Sequence, residues 1–117
     1  MSATEKFLIR DKIAVITGGA GLLGRKHAEA VIEGGGIPVL LDISETAIEK
    51  AKTQLEAAYG KGCVVEGYAC DITKRTDVEQ TAKEVYEKYG HVDVLINNAA
   101  NNPKVEGSAA NMKALRF

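Results

Sequence analysis

Short apolar, β-branched runs alternate along this chain with longer stretches whose apolar residues recur every three or four positions. Ile13-Ala14-Val15-Ile16-Thr17 is a compact apolar run halted by glycines, the pattern of a strand buried on both faces. From about Leu22 to Glu33 the period becomes helical. Leu23, His27, Ala28, Val31 and Ile32 fall near one side, and Gly34-Gly35-Gly36 ends the segment. Ile37-Pro38-Val39-Leu40-Leu41 reads as the second strand, closed by Asp42, with Pro38 near its start where a missing donor is tolerated. Ser44 is placed to cap the next helix and Glu45 suits its positive end. The apolar stripe of that helix is Ile48, Ala51, Leu55 and Ala58, and Gly60 is its stop. Residues 63–70 read as the third strand, ended by Asp71. Thr73 is the expected cap of a third helix with the stripe Val78, Ala82, Val85, Tyr86 and Tyr89, stopped by Gly90. Residues 92–96 read as the fourth strand, followed by Asn97-Asn98-Ala99-Ala100.

The resulting order, βαβαβαβ, predicts right-handed crossovers into a parallel sheet, an α/β architecture with helices on both faces. Residues 1–117 read as one domain. Its last part, residues 101–117, is an irregular tail with loop composition up to Ser108 and weak helical character after it. Composition narrows the function classes. With 117 residues, 45% hydrophobic, 26% charged and a net charge of −1, the chain has the make-up of an ordinary globular domain. That charge gives no electrostatic reason to expect nucleic acid or an anionic membrane as partner. The absence of Trp, with four Tyr and two Phe, leaves too few aromatics for a base-stacking surface. No apolar run approaches the roughly 18 residues of a membrane span, and residues 1–10 carry no signal-peptide pattern; both point to the cytoplasm. Cys63 and Cys70 sit at opposite ends of the expected third strand and read as reduced thiols, and no His, Cys or Asp cluster has metal-ligand spacing.

One segment carries specific chemistry. Gly19-Ala20-Gly21-Leu22-Leu23-Gly24 fits G-x-G-x-x-G, placed directly after a strand and opening a helix. Amides at a helix start carry partial positive charge, and a pyrophosphate can rest on them only where no side chain intervenes. Asp42, 18 residues past Gly24 and at the tip of the second strand, is placed to accept hydrogen bonds from the adenosine ribose hydroxyls and to repel the extra phosphate of NADP. The expected cofactor is therefore NAD, with NADP disfavoured, and the fold is Rossmann-type. Arg25, just past the turn, reads either as a phosphate partner or as a solvated first-turn residue.

Thr17-Gly18 before the turn, Asp71-Ile72 after the third strand and Asn97-Asn98-Ala99-Ala100 after the fourth extend the pattern. Together they resemble the short-chain dehydrogenase/reductase family across about residues 10–102. The resemblance implies the strand order 3-2-1-4 and assigns roles position by position. Gly18, Gly21, Leu22, Leu23 and Gly24 are implied at the pyrophosphate, and Asp42 and Ile43 at the adenosine ribose. Asp71 and Ile72 are implied at the adenine. Asn98, Ala99 and Ala100 are implied near the riboses, with Asn97 bracing the central strands. The glycine spacing T-G-x-x-G-x-x-G is similar to that of the family's extended, sugar-nucleotide-modifying branch, whereas N-N-A-A is similar to the N-N-A-G of the shorter dehydrogenase branch. The run from Asn97 to Lys104 also resembles, more weakly, a group associated with flagellin and surface-sugar biosynthesis.

What the family implies for catalysis is a Tyr with a Lys four residues on and an upstream Ser. Here the residues four beyond Tyr59, Tyr68, Tyr86 and Tyr89 are Cys63, Ile72, Gly90 and Asp93, so no catalytic residue is assigned. The chain thus reads as the cofactor-binding half of an oxidoreductase that moves hydride between nicotinamide and an alcohol or carbonyl, a sugar among the candidates, and as inactive alone. A small-molecule substrate and homo-oligomerisation are implied for the full-length enzyme. Two alternatives stay open: a dinucleotide-binding module without catalysis, and a fragment of a sugar-nucleotide epimerase or dehydratase.

Overall fold

A computed structural model describes residues 9–60 and 62–98 of the chain. Strands and helices alternate as β1 (Ile13–Thr17), α1 (Leu22–Glu33), β2 (Ile37–Asp42), α2 (Glu45–Tyr59), β3 (Glu66–Ala69), α3 (Arg75–Tyr89) and β4 (Val94–Ile96). The strands form one parallel sheet in the order β3-β2-β1-β4, as the family resemblance implies. The expected irregular tail at residues 101–117 lies outside the described residues.

Alternation along β1 and β2 sends side chains to two separate cores. Ile13, Val15, Val39 and Leu41 pack with Cys70 and with Val78 and Val85 of α3. Ala14, Ile16 and Leu40 pack with Ala28 and Val31 of α1 and with Ala51 and Leu55 of α2. Helices therefore cover both faces, α1 and α2 on one and α3 on the other. Every residue of β1 is buried, which is why its sequence is an unbroken apolar run ending in Thr17.

Several local expectations are corrected. The third strand is four residues long rather than spanning 63–70. Its upstream end is taken up by a turn in which the Cys63 amide donates to the Gly60 carbonyl. With Glu66 opposite Val39, the next partner upstream on β2 is Pro38, which has no N–H to give. The fourth strand starts at Val94 rather than at residue 92, because the Asp93 side chain itself accepts from the Ile13 amide at 2.8 Å. Thr73 does not cap α3: its amide and hydroxyl both donate to Asp71 Oδ1, at 2.9 and 2.6 Å, and Lys74 holds the cap position. Ala58 is exposed; the drift of a 3.6-residue period brings Tyr59 onto the core instead. On α3 the buried positions are Val78, Thr81, Ala82 and Val85, while Tyr86 is exposed. On α1 Leu23 is exposed and Gly24 takes the buried place. Among the described residues β4 is the edge strand beside β1, and Val94 and Leu95 are more than a third exposed.

Candidate functional site

From β1 the chain steps outward to β3 and then returns to the other side of β1 for β4. In such sheets the strand ends separate at this reversal and leave a crevice at their carboxyl side. A cleft of about 570 Å³ lies there. The segment after β1 contributes Gly18, Gly21, Leu22 and Leu23. Leu41, Asp42 and Ile43 come from the end of β2, Cys70, Asp71 and Ile72 from the end of β3, and Asn98 from beyond β4. Residues far apart in sequence thus meet because each follows a strand of the same sheet.

The glycine turn is tied down on every side except one. Gly18 has φ +63°, a conformation that L side chains rarely adopt. The Gly19 amide donates to Leu41 O at 3.0 Å, the Gly21 amide to Gly18 O at 3.2 Å and the Ala20 amide to Asp42 Oδ2 at 3.2 Å. Gly24 is where α1 crosses the turn: a Cβ there would lie 2.2 Å from Gly18 O and 2.8 Å from the Gly19 Cα. Gly24 therefore serves the close approach of helix to turn and does not line the cleft. Gly21 is different. It is extended at φ −77°, and a Cβ would meet only Gly18 O at 3.5 Å, so the fold alone does not demand glycine here. Gly21 is the N-cap of α1 and offers no side-chain acceptor, and the first turn has no acidic residue. The leading amides of α1, at Leu22, Leu23 and Gly24, have no i−4 carbonyl within the helix to bond.

Asp42 faces the cleft from the tip of β2, with Oδ1 accepting from the Ser44 amide at 3.2 Å. Asp71 is fixed by Thr73, whose hydroxyl and amide bonds hold its carboxyl below the usual range and keep it ionised near neutrality. The Asp71 amide donates to Asp77 Oδ2 at 3.2 Å. Asn98 latches β4 to the turn: its amide donates to Thr17 Oγ1 at 3.0 Å and its Nδ2 to Gly18 O at 3.3 Å. Asn97 is exposed and outside the cleft lining, with its Oδ1 3.4 Å from Thr17 Oγ1. Ala99 and Ala100 lie outside the described residues.

Arg25 does not line the cleft; it bonds Gln54 of α2 and lines a hollow between α1 and α2 that shares Gly21 and Leu22 with the cleft. Leu41 and Cys70 also line the cleft and were not singled out from the sequence as site residues. Each immediately precedes a singled-out position, so strand-tip location was the available signal. Burial pushes the Cys70 thiol up, which keeps it neutral. Among the described residues no group of three or more His, Cys, Asp or Glu is placed to hold a metal ion, and no helix is long and apolar enough to cross a membrane.

Comparison with known proteins bears on this cleft. The family model for short chain dehydrogenase matches residues 12–116. The short chain dehydrogenase/reductase dpfgG of Gibberella zeae is 37% identical over 97 residues, covering 83% of this chain and 34% of that protein. Tropinone reductase-like 1 of Erythroxylum coca is 35% identical over 91 residues, covering 78% and 31%. Among solved structures, an NAD+-bound xylitol dehydrogenase superposes with a TM-score of 0.74 at 27% identity, over 92% of this chain and 47% of that one. The 2-keto-3-deoxy-D-gluconate dehydrogenase of Streptococcus agalactiae gives 0.75 at 27% identity, over 94% and 41%. The chain thus spans about a third of the length of these two curated relatives.

Proposed function

The chain belongs to the short-chain dehydrogenase family, and on that premise we propose that it is the cofactor-binding half of an NAD-dependent oxidoreductase. The observation that carries this reading is the start of α1: uncapped, free of acidic side chains, opened by a glycine that the fold does not require, and facing the cleft. A pyrophosphate supplies the acceptors that the leading amides lack. Leu22, Leu23 and Ile43 are large apolar side chains left 61–73% exposed around the same cleft, where an adenosine would cover them.

In this reading Gly18, Gly21, Leu22, Leu23 and Gly24 form the pyrophosphate seat, with Gly24 acting through the close helix crossing. Asp42 and Ile43 take the adenosine ribose. Asp71 accepts from the adenine amino group beside Ile72. Asn98 holds the turn from the β4 side and, with Ala99 and Ala100, is assigned to the riboses, while Asn97 is assigned to bracing the central strands. When bound, NAD supplies the hydride acceptor or donor for an alcohol–carbonyl pair. NAD is preferred to NADP for two reasons. The Asp42 carboxylate at the tip of β2 would repel a 2′-phosphate on the ribose it meets, and Arg25, just past the turn, is bonded to Gln54. The sugar-acid and polyol dehydrogenases among the structural relatives make sugars and polyols the first substrates to test. With no Tyr followed by a Lys four positions on, the 117-residue chain alone binds cofactor without turnover. A small-molecule substrate, a homo-oligomer and a cytoplasmic location belong to the longer enzyme in the same reading.

Calorimetric titration of the chain with NAD and with NADP tests the proposal. Tighter binding of NAD is expected; binding of neither overturns the cofactor reading, and tighter NADP overturns the role of Asp42.

A further inference from the structure

We propose that Asp42 is also a positioning residue, one that shapes the pyrophosphate seat as well as meeting the ribose; this rests on the cofactor reading above. Its Oδ2 accepts from the Ala20 amide inside the glycine turn and its Oδ1 from the Ser44 amide at the start of α2, both at 3.2 Å. The adjacent Gly19 amide is held by Leu41 O at 3.0 Å. Two successive turn residues are therefore tethered to two successive residues at the tip of β2, one through backbone and one through the Asp42 side chain. The Gly21 amide is closed on Gly18. With these donors committed, Leu22 and Leu23 are the amides left beside the cleft to face a ligand.

A carboxylate offers about four acceptor positions. Two are used inside the protein, and the others remain for ribose hydroxyls. Removing the carboxylate frees the Ala20 N–H and cuts one of the two tethers, so the turn loosens under the phosphates. A substitution meant to admit the 2′-phosphate of NADP thus also weakens the pyrophosphate seat. The ribose and phosphate subsites are coupled through a single side chain.

The test compares Asp42→Ala with Asp42→Asn in the full 117-residue chain. Both remove the charge, but only the second keeps an acceptor oxygen for the Ala20 amide. Adenosine and ADP are titrated into each, and the ratio of their dissociation constants reads what the phosphates add. The ratio is expected to be about fivefold smaller for Asp42→Ala than for Asp42→Asn, the worth of one net hydrogen bond. A second readout needs no ligand: in the wild-type chain the Ala20 amide exchanges with solvent more slowly than the Leu22 and Leu23 amides. Equal ratios in variants that still bind ADP overturn the positioning role alone. An Ala20 amide that exchanges as fast as Leu22 in the wild type also overturns it, and this holds even where a variant fails to fold. A wild-type chain that binds neither adenosine, ADP nor NAD contradicts the cofactor reading and takes the proposal with it.

Discussion

Helices α1 and α2 follow neighbouring strands of one sheet and pack on the same face, yet they begin in opposite ways. At α2 the Ser44 hydroxyl accepts from the Ala47 amide at 3.1 Å, and Glu45 adds negative charge in the first turn. At α1 the cap is Gly21, with neither a side-chain acceptor nor an acid. Even α3, whose Lys74 offers no cap bond, carries Asp77 in its first turn. Each helix start has orphan amides and a positive dipole end. Two of the three described helices answer that field with their own side chains, and α1 leaves it facing a cleft. A cap contributes about 1 kcal/mol, so the protein forgoes a common stabilising device at the one helix start where an anion is proposed to sit.

Three substitutions sharpen this contrast. Gly24→Ala has the largest expected effect, because its Cβ meets the Gly18 carbonyl at 2.2 Å, and backbone on both sides leaves little room to yield. A loss of about 3 kcal/mol in urea unfolding is expected; an unchanged midpoint would show that the crossing is looser than described. Gly21→Ala separates binding from stability. NAD affinity falls about tenfold, about 1.4 kcal/mol, while stability changes by less than about 1 kcal/mol. A variant that loses stability and keeps its affinity contradicts the role given to the turn. Ser44→Ala gives the converse: about 1 kcal/mol of stability lost with ADP affinity unchanged in calorimetry. A matching loss of ADP affinity would mean that the two helix starts are not separate in function.

Much of this contrast was readable from residue order, for reasons of buried periodicity. β1, α1 and β2 are found with the expected bounds because unbroken apolar runs and three glycines punctuate them. The strand order came with the family resemblance. Less legible were features that depend on partners distant in sequence. The short β3 follows from Pro38 on its neighbour, and the late start of β4 from the bond between Asp93 and Ile13. Thr73 has the composition of a cap but is bound to Asp71. The same limit applies at the cleft. Asp42 stood out by its spacing from the glycines, but its bonds to Ala20 and Ser44 arise only when β2 lies beside the turn. Arg25 was ambiguous until α2 placed Gln54 beside it.

The most direct test follows backbone amide resonances of the 117-residue chain during titration with NAD. The largest shifts are predicted at Leu22 and Leu23, with the capped Ala47 amide of α2 unmoved. Saturable NAD binding that leaves Leu22 and Leu23 unshifted would contradict this placement of the pyrophosphate.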